Sequence, residues 1–433
     1  MAVTDQSTHA SNSSEGILTL AKGTAFSFCG QIGQVIIVYA YGIVIARVIG
    51  VSNYGIFFLG ITIFNLLVLL SQCGIEDGLM RFLGSYSQRG EEHKAKSIIK
   101  FSLLLSAGIG VLVGCICFIS ADFLAKNIFH KPELKPVLCY LSMAIPISGI
   151  MTVSVASIRA FKIVMPYVLV RKIFLPLISF IFAIIILSMG YRLRGLSVAY
   201  ILALCCSAAL ATFLLNSFLL PFKKKPNIPS ERDKYFSFIG AAFFVNMLFF
   251  LFTWSDLIVL GIFRPSSELG IYFAAKKTAL VLGLFLISLN VIFVPIISHS
   301  YSGNKFAHIN HAFKTGTQWM LIPGIPLFLI ILFFSEEILS LFGPDFKIGK
   351  MCLIILAIGQ FVNISVGSVG YILMMTGHQN WMVFNSIFFV ILNIPLVLLL
   401  VPRYGMLGAA CANGFAIIFA NLVSLVEVYF LLR

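Results

Sequence analysis

The chain is a succession of apolar runs, each about 20 residues long, that follow one another with only short polar connections. A helix needs roughly 20 mainly apolar residues to cross the hydrocarbon core of a bilayer. Of the 433 residues, 60% are hydrophobic and only 11% are charged, and the mean hydropathy is +1.02. This number of charged residues is too small to cover the surface of a soluble protein of this size. We therefore predict an integral membrane protein with almost no extramembrane domain.

Twelve such runs can be placed along the chain, and residues typical of turns separate them. Stretches such as "GVSNYG", "KPELKP" and "TGHQN" interrupt the hydropathy and mark connections. We therefore predict an all-α polytopic membrane protein with about twelve transmembrane helices. The predicted spans lie near residues 23–46, 55–80, 97–120, 137–158, 167–189, 196–221, 236–263, 269–297, 315–334, 351–374, 381–402 and 407–431.

Basic residues are distributed unevenly between the two predicted sides of the membrane. With the N-terminus inside, 18 of the 30 Lys and Arg residues fall on the cytoplasmic side, and 9 fall in loops on the other side. Loops rich in Lys and Arg tend to stay in the cytoplasm, so we expect both termini there. The same bias explains the net charge of +14, and no aromatic-basic pattern indicates nucleic-acid binding.

The two halves of the sequence resemble each other weakly but in the same order. Segments 53–63, 154–158 and 194–199 ("NYGIFFLGITI", "SVASI", "RGLSVA") match 268–278, 368–372 and 404–409 ("ELGIYFAAKKT", "SVGYI", "YGMLGA"). Six spans per half return the chain to its starting side, so the repeats should be parallel. We expect two six-helix lobes, 1–222 and 235–433, joined by a basic cytoplasmic linker over 223–234 and facing each other across a central cleft.

Polar side chains recur at helical spacing on spans 1, 2, 7 and 8, which are repeat partners in the two halves. We interpret them as candidate walls of the cleft, where amides and hydroxyls could bind a polar substrate. The alternative is that they join neighbouring helices by hydrogen bonds. The candidates are Gln31, Gln34, Tyr41, Asn65 and Asn246.

Asp256 is the only formally charged residue between Lys234 and Arg264. Lys276 and Lys277 lie at a similar predicted depth on the next span, and buried charges usually pair. The group is either a static salt bridge or a charge cluster in a hydrated cleft. Two lysines leave a positive surplus, which favours an anionic substrate, and Asp256 is our candidate site for a coupling ion, H⁺ or Na⁺.

Charges also mark the ends of the first two spans. Arg47 ends span 1 and either reaches the membrane surface or faces the cleft as a substrate-binding group. Glu76, Asp77 and Arg81 end span 2 on the predicted cytoplasmic side. They could form a gate between the lobes or an interfacial charge cluster.

No signature of an enzyme stands out in the sequence. It contains no Walker A loop, no H-E-x-x-H and no nucleophile elbow. The nine cysteines lie mostly inside apolar runs and lack metal-ligand spacing. We predict neither catalysis nor a cofactor nor a metal, and transport driven by an ion gradient or by the substrate's own gradient.

Several segments carry a family resemblance that covers nearly the whole chain. They are residues 46–87 ("ARVIGVSNYGIFFLG…"), 255–275 ("SDLIVLGIFRPSSELGIYFAA"), 341–346 ("LFGPDF"), 359–378 ("GQFVNISVGSVGYILMMTGH") and 403–414 ("RYGMLGAACANG"). In order and spacing they resemble the polysaccharide repeat-unit (O-antigen, Wzx-type) flippases of the MOP superfamily, which is MATE-like in fold. Twelve spans in two halves fit that resemblance.

The resemblance implies a function. Such proteins move oligosaccharide repeat units, linked to undecaprenyl pyrophosphate, from the cytoplasmic to the periplasmic leaflet of the bacterial inner membrane. It also implies a polysaccharide polymerase and a chain-length regulator as partners. The alternatives are a multidrug or cation antiporter of the same superfamily and, less favoured, a polymerase of the same pathway. A polymerase usually carries a large periplasmic loop, and no outer connection here is long.

Overall fold

A computed structural model describes residues 3–161, 163–219, 232–287, 289–290, 293, 297, 301 and 306–431. Throughout those residues the regular structure is helical. The helices of the first half are α1 Val3–Gln72, α2 Ile75–Gln88, α3 Glu92–Phe123, α4 Leu134–Ala160, α5 Met165–Tyr167, α6 Leu175–Ser188 and α7 Leu193–Leu219. A π-helical turn, Val168–Phe174, joins α5 to α6.

The helices of the second half are α8 Arg232–Phe263, α9 Ser266–Ala279, α10 Phe306–Phe333, α11 Ser335–Ser340, α12 Lys350–Val366, α13 Val369–Met375 and α14 Gln379–Leu431. We call α1–α7 the N-terminal lobe and α8–α14 the C-terminal lobe. Most of the predicted linker, 223–234, and part of the predicted span 269–297 lie outside the described residues.

Within the described residues, nine stretches are long and apolar enough to cross a membrane. Two of them, Cys29–Gln72 and Asn380–Phe430, have 44 and 51 residues and are each bent into two spans by a glycine. Gly50 and Gly405 adopt positive φ values of 80° and 59°, a region that favours glycine. The all-α polytopic fold predicted from hydropathy is confirmed.

Two predicted spans are interrupted. Span 55–80 breaks at Cys73 and Gly74, where φ is 45° and 76°. A Cβ on Gly74 would lie less than 3.0 Å from the carbonyl oxygen of Ile239, so the break lets α1 and α2 approach α8 closely. Span 351–374 breaks at Gly367, which ends α12 with a φ of 79°. Apolar runs conceal such breaks because hydropathy does not report a contact with another helix.

The two lobes meet at both ends of the molecule. We call one end the Gly50 end, which also holds Lys131, Arg264 and Gly405. There α1 crosses α9 at Gly55 and Gly270, where a Cβ on either glycine would lie less than 3.0 Å from backbone of the other helix. At the opposite end, the linker end, α2 packs against Tyr235 and Ile239 of α8. A cavity remains between these two contacts.

Candidate functional site

A cavity of about 330 Å³ lies between the lobes, and both lobes contribute to its walls. Its lining combines two amides, two lysines and aromatic rings with aliphatic side chains. The lining residues are Gln31, Gln34, Val35, Val38, Tyr39, Gly42, Tyr54, Phe58, Lys172, Phe273, Lys277, Leu280, Val281 and Phe342. Of the residues proposed from the sequence to bind substrate, the structure brings Gln31, Gln34 and Lys277 together here.

Two lysines, one from each lobe, give the cavity a positive charge. Lys172 lies on the π-helical turn of the N-terminal lobe, and Lys277 lies in the last turn of α9. No acidic side chain is among the described lining residues, and neither ammonium group pairs with a described carboxylate. Lys277 Nζ lies 5.5 Å from the ring centre of Phe273, which is a cation–π contact and leaves the charge free to bind an anion.

Lys276 points away from the cavity, although it is adjacent to Lys277. Successive residues on a helix point about 100° apart, so the two side chains diverge. Lys276 Nζ lies 2.6 Å from Asp256 Oδ2 and 2.8 Å from Oδ1, and it also donates to the carbonyl of Thr253. The Tyr272 hydroxyl and the Leu257 backbone N–H donate to the same carboxylate. Asp256 is 0% exposed and is absent from the described cavity lining, so this geometry favours a structural pair.

Tyr39 and Lys172 are cavity residues that the sequence did not single out. Tyr39 makes a hydroxyl–hydroxyl hydrogen bond of 3.1 Å with Thr278, which links the two lobes across the cavity wall. Lys172 follows Arg171 in "VRKIF", near the start of the predicted span 167–189. The π-helical turn at the start of the span rotates Lys172 inward. The presence of two adjacent basic residues, Arg171 and Lys172, within a predicted span was the signal that could have identified Lys172 as a cavity residue.

The other polar candidates from the sequence lie elsewhere. Tyr41 is buried inside the N-terminal lobe, with its ring 6.2 Å from Phe180 in an edge-on contact. Asn65 is exposed and is not among the described residues that line the cavity. Asn246 donates to Asp77 over 2.7 Å at the linker end. Their proposed contact with substrate stays a prediction.

The charges predicted to form a gate divide into two groups at the linker end. Glu76 pairs within the N-terminal lobe, with Arg171 at 2.9 Å and Arg159 at 3.9 Å. Asp77 instead bonds to Asn246 of α8, and the Arg81 guanidinium lies 4.5 Å from the ring centre of Phe238, also on α8. Asp77 and Arg81 therefore join the lobes, whereas Glu76 anchors the surrounding N-terminal helices.

Two basic residues of the N-terminal lobe bind backbone carbonyls of the C-terminal lobe at the Gly50 end. Arg47 Nε donates to the Leu341 carbonyl over 2.7 Å. Lys131 Nζ donates to the carbonyls of Gly261 and Arg264 at the end of α8. Burial lowers the pKa of Lys131, and the nearby Glu133 carboxylate partly opposes that effect. Arg47 thus lies outside the cavity and links the lobes.

Solved structures of transporters share this fold. "Lipid II flippase MurJ, inward closed conformation" superposes with a TM-score of 0.75 at 16% identity, over 95% of this chain and 87% of that one. An inward-facing multidrug resistance MATE family transporter of the MOP superfamily superposes with a TM-score of 0.72 at 13% identity, over 96% and 94%. The chain therefore has the same overall fold as these two structures.

Family and sequence comparisons narrow this class. The family model described as "Polysaccharide biosynthesis protein" matches residues 20–301, and the MatE model matches residues 241–399. The chain belongs to the polysaccharide biosynthesis protein family, which confirms the resemblance found in the sequence.

Two curated relatives are also named for the biosynthesis of glycans or polysaccharides. The probable low-salt glycan biosynthesis flippase Agl15 of Haloferax volcanii is 27% identical over 192 residues, 44% of this chain and 40% of that protein. Capsular polysaccharide biosynthesis protein CapF of Staphylococcus aureus is 28% identical over 167 residues, 37% of this chain and 40% of that protein. These matches span about two fifths of either relative. An uncharacterized membrane protein of Methanocaldococcus jannaschii is 21% identical over 414 residues, 91% and 81% of the two chains.

Proposed function

We propose that this protein is a flippase for lipid-linked oligosaccharides. The substrate is a polysaccharide repeat unit, such as an O-antigen unit, on undecaprenyl pyrophosphate. It moves from the cytoplasmic to the periplasmic leaflet of a bacterial inner membrane, with both termini of the protein in the cytoplasm. A polysaccharide polymerase and a chain-length regulator would receive the product. The family membership and the flippases among the relatives support this proposal.

The observation that carries the proposal is that Lys172 and Lys277, one from each lobe, line the same cavity. A pyrophosphate presents several oxygen acceptors and more than one negative charge, and two ammonium groups from opposite lobes can neutralise it together. Because each lobe supplies one lysine, a bound pyrophosphate would contact both lobes and stabilise one relative orientation of them. The same charges disfavour a cationic drug, so the antiporter alternative is the weaker one.

The remaining polar lining suits sugars. Gln31 and Gln34 each offer both a donor and an acceptor, which is what a sugar hydroxyl requires. Tyr39, Tyr54 and Phe273 add ring faces, and the two tyrosines add a hydroxyl each. The lipid tail needs no protein site, because it can remain in the bilayer while the head group enters between the lobes.

Alternating access follows from contacts at both ends of the cavity. The two lobes are parallel repeats and can rock about the central site, opening one end while the other stays closed. A proton or sodium gradient would drive this exchange. Asp256 stays our prediction for the coupling site, although its pairing with Lys276 favours a structural role. Normal gradient-dependent export by Asp256→Asn would exclude it.

Complementation of a flippase-deficient strain tests the proposal. We expect Lys172→Ala and Lys277→Ala each to reduce export of the repeat unit, and the double variant to abolish it, at normal levels of membrane protein. Lys172→Arg and Lys277→Arg should retain much of the activity because they keep the charge. Lys350→Ala is the matched control, since the side chain of this lysine is 45% exposed at the Gly50 end and, among the described residues, forms its ion pair with the exposed Glu336. Full export by the double alanine variant would refute a cationic substrate site.

A further inference from the structure

A second opening lies between the lobes at the Gly50 end, and its described lining shares one residue with that of the central cavity. This groove, of about 400 Å³, is lined by Ala46, Arg47, Gly50, Val51, Ser340, Phe342, Gly343, Pro344, Asp345 and Phe346. Among the described lining residues of the two spaces, Phe342 alone is common to both. Phe342 is 1% exposed, so its ring is tightly packed where the two spaces approach each other.

The Phe342 barrier is a contact between lobes. Phe342 belongs to the C-terminal lobe, and its ring meets two tyrosines of α1 edge-on. The ring centres are 5.3 Å from Tyr39 and 6.2 Å from Tyr54. Separation of the lobes would therefore remove the ring from both tyrosines at once. The barrier depends on aromatic contacts and on one polar anchor, which lies one residue away.

That anchor is the hydrogen bond from Arg47 Nε to the Leu341 carbonyl, 2.7 Å long. Arg47 is exposed at the Gly50 end, so its bond can exchange with water when the lobes part. Phe342 lies on a short connection between α11 and the 3₁₀ helix Pro344–Gly349. Gly343 follows it with a φ of 144°, which L side chains rarely adopt, so the connection can turn at a glycine. The ring is thus held by a local segment and not by a spanning helix.

We propose that Phe342 is the gate between the central cavity and the Gly50-end groove, and that Arg47 is the latch that holds this gate closed. The inference rests on the proposed function, because the gate controls access to the same cavity. The substrate passes only after Arg47 releases Leu341 and the ring leaves Tyr39 and Tyr54. Access from the Gly50 end is then set by the position of one side chain.

Thiol labelling tests the gate without any substrate. Val38→Cys places a thiol on the cavity wall. A second single variant, Arg47→Cys, is labelled separately to determine which membrane face carries the Gly50 end. A small, charged, membrane-impermeant methanethiosulfonate is applied from each face to cells and to inverted vesicles. Tandem mass spectrometry assigns the label to residue 38, because exposed native cysteines, Cys29 among them, also react. The rate is compared with Phe342, Phe342→Ala and Phe342→Trp.

When the reagent is applied to the membrane face at the Gly50 end, we expect Val38→Cys to be labelled slowly if residue 342 is Phe or Trp. With Phe342→Ala, labelling should be at least about tenfold faster. Arg47→Gln should also accelerate labelling by about tenfold, since a charge-assisted hydrogen bond is lost. Labelling from the linker face and membrane protein level serve as controls for folding. Equal rates with Phe342 and Phe342→Ala, or rapid labelling with Phe342 present, would overturn the gate. Neither result depends on the substrate, so failure of the lysine variants to lose export would refute the proposed function alone.

Discussion

Asp256 and Lys276 form an ion pair whose side chains are 0% and 5% exposed, with Nζ 2.6 Å from Oδ2. Loss of one partner leaves the other charged and buried, at a cost of about 3–5 kcal/mol. We therefore expect Lys276→Ala to lower the unfolding temperature and the membrane level of the protein. Lys277→Ala is the control from the next residue, and it should leave stability near normal while reducing export. Thermal unfolding in detergent separates the two effects, and equal stability of both variants would contradict the pairing.

The pair also permits a rescue. Replacing both charges with apolar residues of similar volume, in Asp256→Leu with Lys276→Met, removes the uncompensated charge. We expect this double variant to recover much of the stability that Lys276→Ala loses. Export by the recovered protein would show that the pair is structural. Recovery of stability with no export would instead support a role for Asp256 in coupling, as the sequence suggested.

At the Gly50 end, Gly55→Ala should disrupt the crossing of α1 and α9. The new Cβ would lie less than 3.0 Å from the Ser266 carbonyl oxygen, which is backbone and cannot move aside. We expect lower stability and lower export, measured by thermal unfolding and complementation. Gly84→Ala is the matched control, because nothing lies within 4 Å of its Cβ position. That control should gain about 0.5–1 kcal/mol from reduced backbone entropy, and a similar gain in Gly55→Ala would disprove the close contact.

Lys131→Met should weaken the same end by another route. Methionine keeps most of the side-chain volume, but the Gly261 and Arg264 carbonyls lose their charged donor. A hydrogen bond to a charged group contributes about 1.5–3 kcal/mol, so unfolding should become easier by that order. The exposed Lys126, which pairs with Asp122, gives the control variant Lys126→Met. Indistinguishable unfolding of the two variants would show that Lys131 does not join the lobes.

At the linker end, Asp77 and Asn246 should behave as a coupled pair. Asp77→Ala and Asn246→Ala each remove one side of a 2.7 Å hydrogen bond between lobes. We expect each to speed labelling of Val38→Cys from the linker face, and the double variant to be no faster than the faster single variant. Glu76→Gln, which affects a pair inside one lobe, should change this rate less. Additive effects of the two alanine changes would mean that the residues act independently.

Hydropathy was sufficient to predict the helical, polytopic membrane fold, because lipid allows few other structures for such a chain. Matching depth also brought Asp256 and a lysine together. Depth could not distinguish Lys276 from Lys277, because that choice depends on how α9 is rotated against its neighbours. Lys172 was missed because a π-helical turn has no clear pattern in a single sequence. The segment "LFGPDF" was informative only as a resemblance, since the role of Phe342 depends on tyrosines about 300 residues away.

The Gly55–Gly270 crossing has a consequence for how the molecule opens. At the two glycines the backbones of α1 and α9 are in direct contact. No side chain is interdigitated at this point, so none has to move out of a pocket when the helices separate. Dispersion across such smooth faces falls steeply, and a gap of only 0.5–1 Å loses roughly a quarter to a half of the attraction. Once α1 and α9 have moved slightly apart, the remaining attraction between them opposes further separation less strongly. The Gly50 end of the molecule should accordingly populate a closed and an open position, with little time in between.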